Sequence, residues 1–322
     1  MDGQRRHAAC AVGRDAIARH HRVAVLSLTL VTAIWGATFV VVKDALRDAS
    51  PLLFNLLRMV IALVMLAALY HRDLLRLERK WVTGGALVGL CLAAGYSFQT
   101  AGLARTTPAK SALITGMVVV LVPLLSVLPG LRTHGMRRPG PAAFTGALLA
   151  FSGILLLTTP PHTPWLALLG SIHLGDLLTL CCALGFSLHV LALAHLSPRM
   201  PLGALAVLQI AFCTLVMGAA VPLLEHPRLI ISGRLVAALL VTGLLATAVA
   251  FTVQSWAQQQ LSATRTALIL ALEPVFAFLT SYLFYGERLS ARASAGALLI
   301  LGGIAVTELL PQPVSAHESA AA

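Results

Sequence analysis

Charge is scarce in this chain. Only 11% of its 322 residues are Asp, Glu, Lys or Arg, and the acidic ones number twelve. So few carboxylates supply no clustered pair for general acid and base chemistry, and the sequence also lacks a Walker loop, a nucleophile elbow and a histidine-rich metal spacing. Nothing therefore points to an enzyme, to a metal or cofactor, or to self-contained ATP-driven work. Cysteine is equally sparse. Of five, Cys91, Cys181, Cys182 and Cys213 lie inside apolar runs with no C-x-x-C spacing, which excludes a disulfide framework and leaves them as small packing residues.

What is present is apolar. Hydrophobic residues make up 58% of the chain, and the mean hydropathy of +0.87 exceeds what a soluble fold of this length could bury. The chain belongs in a bilayer, with lipid as its surroundings. A spanning helix takes roughly 20 apolar residues, and ten stretches qualify: 23–42, 51–70, 81–101, 111–128, 141–157, 175–196, 202–224, 235–258, 266–284 and 293–310. The first is longer than a signal core and has no small-residue cleavage site, so it reads as a retained helix. Residues 1–22 form a basic tail, expected to be largely unstructured, as is the Ala-rich tail 311–322.

A net charge of +11 would suggest nucleic acid in a soluble protein. Here its placement matters instead, because basic residues mark cytoplasmic loops. Fourteen of them fall in the tail, in the loop carrying Arg72, Arg76, Arg79 and Lys80, in the stretch with Arg132, Arg137 and Arg138, and at Arg199 and Arg265; eight, including Lys43, Arg47, Arg228 and Arg234, fall in the alternate loops. Both termini are expected inside.

The chain also repeats itself. Ala109-Lys110-Ser111-Ala112-Leu113-Ile114 is echoed by Thr264-Arg265-Thr266-Ala267-Leu268-Ile269, and Gln99 maps onto Gln254 at the same offset of 155. Gly146-Ala147-Leu148-Leu149 with Gly153 recurs as Gly296-Ala297-Leu298-Leu299 with Gly303. Duplicated apolar halves are the mark of transporters built from repeated helix bundles, whose site lies between the repeats. With five helices per repeat, Lys110 and Arg265 fall on opposite sides, so the repeats are expected to be inverted. The implied fold is an all-α membrane protein with ten transmembrane helices in two inverted five-helix repeats, 23–157 and 175–310, joined by a loop at 158–174.

Three stretches resemble one family. Trp35-Gly36-Ala37-Thr38-Phe39 runs to Lys43 and is followed by Pro51, Phe54 and Arg58; Thr115-Gly116 precedes Val119-Val120-Leu121-Val122-Pro123-Leu124; and Leu272-Glu273-Pro274-Val275-Phe276 leads to Gly286-Glu287-Arg288-Leu289-Ser290 and Gly296. In this order they resemble the drug/metabolite transporter superfamily, its EamA-type branch of two five-helix repeats, over about residues 23–310. The first half departs from it, since residues 131–140 replace the Gly-Glu-Arg-Leu-Ser turn and Pro123 sits eleven residues past Ala112 where Pro274 sits seven past Ala267.

Several side chains stand out against the apolar background. Glu273 falls mid-span, where an ionisable group is costly and marks a functional site or a protonated carboxyl bonded to a neighbouring helix; Pro274 beside it disturbs the preceding turn. Arg58 lies roughly 10 Å along its helix, either tying helices together or meeting substrate. Gln99 and Gln254, at matched depth, serve interhelical bonding or line a substrate path. Trp35, Tyr96 and Trp256 supply an aromatic wall or simple packing, and His189 is a proton carrier or a satisfied core residue. Gly146, Gly153, Gly296 and Gly303 read as close helix packing, within the chain or in a homodimer.

The expected function is secondary transport of a small organic metabolite, more in keeping with export than import, by alternating access. The competing classes are an uncoupled channel or facilitator on the same fold, and a membrane scaffold or receptor without flux.

Overall fold

The computed structural model describes residues 2–103, 105, 114–131, 139–158, 173–285 and 290–310, with only the backbone given for 2–18 and for a few helical positions beyond. Lys110, Glu287 and the tail 311–322 lie outside the described residues. What is described is helical, apart from one isolated antiparallel bridge between Ala49 and Leu229. Helix α1 spans Asp2–Ala45, α2 Pro51–Leu69, α3 Arg79–Leu103, α4 Val118–Leu125 and α5 Pro141–Thr158. In the second half α6 spans Leu174–Leu196, α7 Leu202–Leu224, α8 Gly233–Ala257, α9 Ala263–Leu270, α10 Glu273–Tyr285 and α11 Ala291–Leu309. Among the described residues seven segments are long and apolar enough to cross a membrane, with shorter apolar helices at Pro141–Leu157 and Ala291–Thr307.

Local chemistry sets several boundaries. Helix α2 starts on Pro51, whose fixed φ and missing N–H suit a first helical position. Helices α8, α9 and α11 each begin behind a serine, Ser232, Ser262 and Ser290, whose hydroxyl accepts the backbone N–H three residues on. Helix α1 corrects one sequence expectation: it is already helical at Asp2, where an unstructured tail was anticipated. The stretch holds no proline and is rich in alanine and arginine, both good helix formers.

Lipid offers no hydrophobic drive between helices, so association rests on close packing and interhelical hydrogen bonds. The halves meet through α5 against α11, α3 against α6, α3 and α2 against α7, α1 against α10, and α2 against α8. Exchanging the halves carries much of this pattern onto itself: α3 with α6 corresponds to α8 with α1, α3 with α7 corresponds to α8 with α2, and α2 with α7 and α5 with α11 map onto themselves. One apolar cluster forms around Met59, Leu92, Ile210, Met217 and Phe251, and another around Val119, Ile154, Leu272 and Ile300.

The glycine pairs fix the α5–α11 contact. A Cβ on Gly146 would stand 2.6 Å from the Gly303 oxygen and one on Gly303 2.5 Å from the Gly146 oxygen; Gly153 and Gly296 face each other in the same way, at 2.5 and 2.6 Å. The first glycine of one helix meets the last of the other, so these two equivalent helices run antiparallel. Backbone meets backbone with no room for a side chain, and this small-residue stripe is filled within the chain.

Candidate functional site

Arg58 and Trp35 come from the first half and dock on one segment of the second. The centre of α8, Val241–Val249, is wound as a π-helix, a rare form that is frequent at functional sites and frees carbonyls from the i→i−4 pattern. Trp35 Nε1 donates to the Ala246 carbonyl at 2.7 Å. Arg58 Nε donates to Thr247 Oγ1 at 3.1 Å, and the same hydroxyl donates back to the Thr242 carbonyl at 2.8 Å. Arg58 Nη2 donates to the Tyr96 hydroxyl at 2.9 Å while the guanidinium carbon stands 4.9 Å from that ring's centre. A cation buried to 6% exposure is thus held by one phenol, one threonine and one aromatic face, and among the described residues no carboxylate pairs with it.

An aromatic wall surrounds it. Phe251 packs 5.3 Å from Trp35, 6.3 Å from Tyr96 and 5.6 Å from the His189 ring, and Phe186 meets Tyr96 edge-on at 5.4 Å. Trp256 does not join this wall. It packs instead with Ala24, Leu28, Leu261 and Ile269. Behind the wall runs a buried polar chain: His189 Nε2 meets Gln209 Oε1 at 3.1 Å, Gln209 Nε2 donates to Ser255 Oγ at 3.0 Å, and Ser255 donates to the Phe251 carbonyl at 2.7 Å.

Glu273 opens α10 just past the break at Ala271–Leu272. Pro274 has no N–H to return to the Leu270 carbonyl, which accounts for the break, and the first helical turn is a favourable place for a carboxylate. Gly36 of α1 permits the approach, since a Cβ there would stand 2.7 Å from Phe276 Cβ and 2.8 Å from the Glu273 carbonyl oxygen. The Glu273 side chain lies within electrostatic reach of Tyr96 and Cys182 and is half-buried. Among the described residues it accepts no hydrogen bond and forms no ion pair. The break thus falls directly before Glu273, as the Glu-Pro dipeptide suggests.

The two glutamines differ in circumstance. Gln254 is buried at 1% exposure, donates to Gln258 Oε1 at 3.2 Å and leaves its own Oε1 unpartnered, while Gln258 donates to the Val190 carbonyl at 2.8 Å. Gln99 is half-buried on α3, next to Thr100, which accepts from Asn55 Nδ2 at 2.8 Å. Pro123 is buried inside α4. Gln209, Asn55, Thr247, Phe186 and Phe251 belong to this candidate site, and the sequence pattern does not single them out. A lone amide in each of two long apolar runs was the available signal for Gln209 and Asn55.

No described group of three or more His, Cys, Asp or Glu side chains is placed to hold a metal. A model of the EamA-like transporter family matches residues 22–159 and again 173–309. The chain belongs to the EamA-like transporter family. An uncharacterized transporter of Archaeoglobus fulgidus is 33% identical over 285 residues, covering 88% of this chain and 85% of that protein. The uncharacterized transporter YoaV of Bacillus subtilis is 25% identical over 289 residues, covering 87% and 94%. A solved crystal structure superposes with a TM-score of 0.73 at 20% identity over 89% of this chain and 97% of that one, which shows a shared fold. The two matched segments of the EamA-like family are the two halves that meet at α5 and α11. The protein is a multi-pass membrane transporter with the two-repeat EamA architecture, and the Arg58–Glu273 region lies between its repeats.

Proposed function

We propose that this EamA-like protein is a secondary transporter that exports a small organic metabolite across the cytoplasmic membrane by alternating access. On this reading ten spans form two inverted repeats, both termini are cytoplasmic, and transport is coupled to a proton or another ion through Glu273. The antiparallel register of α5 and α11 supports the inversion, because equivalent helices that run in opposite directions are related by an axis in the membrane plane.

The observation that carries the reading is that two opposite charges inside the helix bundle, Arg58 and Glu273, are each without a charged partner among the described residues. In hydrocarbon a purely structural charge would be expected to be paired. Arg58 spends its donors on Tyr96 and Thr247 instead, and Glu273 keeps a free carboxylate among the described residues. Each is left to meet something that comes and goes: an anionic or hydrogen-bonding group of the solute at Arg58, and a cation or proton at Glu273, with the rings of Trp35, Tyr96 and Phe251 against the solute's body.

A thermal-shift screen of the purified protein against amino acids, organic cations, sugars and nucleosides would name the solute, and counterflow in proteoliposomes would test its movement. Accumulation against a gradient that collapses with a protonophore supports coupled transport. Simple equilibration would reduce the protein to a facilitator, and binding without flux would overturn the reading.

A further inference from the structure

Two equivalent joints close the ends of the bundle, and among the described residues only one is bridged by hydrogen bonds. At one end the corner between α1 and α2 meets the loop between α7 and α8. Asp48, in that corner and 7% exposed, accepts Arg234 Nη2 at 2.7 Å and Nε at 3.1 Å, together with the Ser232 hydroxyl. Arg228 donates to the carbonyls of Leu46 and Arg47, and the Glu225 carboxylate accepts the backbone N–H groups of Leu52 and Leu53 at 3.2 and 3.1 Å. Bonds from Ser50 N to Arg228 O, at 2.9 Å, and from Ile230 N to Asp48 O, at 2.7 Å, frame the Ala49–Leu229 bridge. The groups come from opposite halves of the chain.

Exchanging the halves turns this joint into the one at the far end, where the corner between α6 and α7 meets the loop between α2 and α3. There Tyr70 and Asp73 press on Gly203, and Met200 sits among Val88, Leu193 and Leu205. Among the described residues no hydrogen bond joins 70–78 to 197–203. The length of α7, 23 residues or roughly 34 Å, separates the two joints.

We propose that the Asp48–Arg234 joint is a gate whose polar bonds hold that end of the bundle shut in the resting conformation, and that the joint at Met200 is its counterpart. The inference rests on the alternating-access reading. When two repeats are related by a twofold axis, the second conformation is obtained by exchanging what the two ends do. Similar backbones then make the two conformations similar in energy, and the chemistry of the joints decides which is populated. A joint that must give up two arginine–acceptor clusters and a paired backbone bridge opens less readily than one with no hydrogen bond across it among the described residues.

The test is thiol labelling in nanodiscs of the full chain, with the fully buried Cys182 and Cys213 kept and Cys10, Cys91 and Cys181 changed to serine. The bonds on either side make Ala49 and Leu229 a non-hydrogen-bonded antiparallel pair, with Cα atoms about 4.5 Å apart, within reach of a disulfide. In D48N/A49C/L229C/M200C, where loss of the carboxylate has freed the gate, oxidation should lock it and raise maleimide labelling of the thiol at position 200 at least threefold, reversibly with dithiothreitol. D48N/M200C should lower that labelling by a similar factor relative to M200C, and D48N/A49C should raise labelling at position 49. Labelling at position 200 that ignores both the disulfide and D48N overturns the gate, because a static joint at one end has no means to alter exposure at the other. Should the disulfide variant not fold, D48N/M200C and D48N/A49C decide the matter alone. Flux of labelled leucine, choline, glucose and uridine is measured in parallel: coupled labelling without flux would spare the gate and count against transport, and flux with uncoupled labelling would do the reverse.

Discussion

Trp35 donates its indole N–H to the carbonyl of Ala246, 211 positions away in sequence and 2.7 Å away in space. The bond joins the first apolar helix to the π-wound centre of α8, and it gives the mid-helix tryptophan a polar reason for its depth. Trp35→Phe keeps the contact with Phe251 and removes the donor. A loss of about 0.6–1.7 kcal/mol is expected for an interhelical bond in a membrane, read as a lowered melting temperature in detergent, together with reduced flux. Unchanged melting and flux would show that the π segment does not depend on this bond.

Glu273 is expected to separate folding from transport. Glu273→Gln keeps size and hydrogen bonding, and with no described partner to lose it should express at wild-type level. Flux, or its dependence on pH, should fall at least tenfold. Transport with the wild-type rate and pH profile would make Glu273 a structural residue and shift attention to Arg58.

Arg58 holds Tyr96 and Thr247 in a fixed fork that lysine cannot copy. Arg58→Lys is expected to keep the charge and lose at least tenfold in apparent affinity, while Arg58→Met should abolish binding of an anionic solute. Equal affinity of wild type and Arg58→Lys, measured by thermal shift with the identified solute, would show that the fork is not used.

The α5–α11 contact offers a paired control. Gly303→Ala pushes a methyl against the Gly146 carbonyl and the Ala150 backbone nitrogen, and overpacking of this kind costs about 1–3 kcal/mol. Gly302→Ala, one residue away with nothing within 4 Å, should melt as wild type does. Equal melting of the two variants would contradict the backbone contact.

Asp48 gives the gate its pH behaviour. The Arg234 guanidinium and the Ser232 hydroxyl hold its carboxyl below the usual carboxylate range, with a further contribution from the charge of Arg228. A lowered value means the pair is fully present above the ordinary carboxylate range and is lost only as pH falls through the depressed value. Disulfide formation in A49C/L229C, corrected for thiolate fraction, should therefore be constant from pH 8 to about pH 5; a fall centred near pH 6 would exclude Asp48 as the controlling group.

Much of this was legible in the sequence. Apolar runs and turn residues locate the helices, the repeated glycines mark faces of close packing without naming the helix they meet, and Arg58, Glu273 and Trp35 are conspicuous because polar or amphipathic groups in hydrocarbon need a reason. Other parts were not. Thr247 looks like any threonine that bonds its own helix, as Thr252 does to Ala248, and its turn toward Arg58 depends on the π winding, which leaves no compositional trace. Phe251 and Phe186 are indistinguishable from packing aromatics until the helices cross. Trp256, five residues from Phe251, sits on another face of α8, so its placement follows from helical phase rather than residue type.

That phase has a consequence for how relatives are compared. The nine-residue segment Val241–Val249 sets the angular position of everything after it in α8. Removing one residue there, for instance the half-exposed Leu245, with the winding otherwise kept, would turn the following residues by roughly a quarter of a turn, carrying Phe251, Gln254 and Ser255 off their present neighbours. A relative one residue shorter at this point would retain every polar side chain of the site and present them to different partners. Chain length within one helix, more than percent identity, is what tells whether two members of the family share a binding surface.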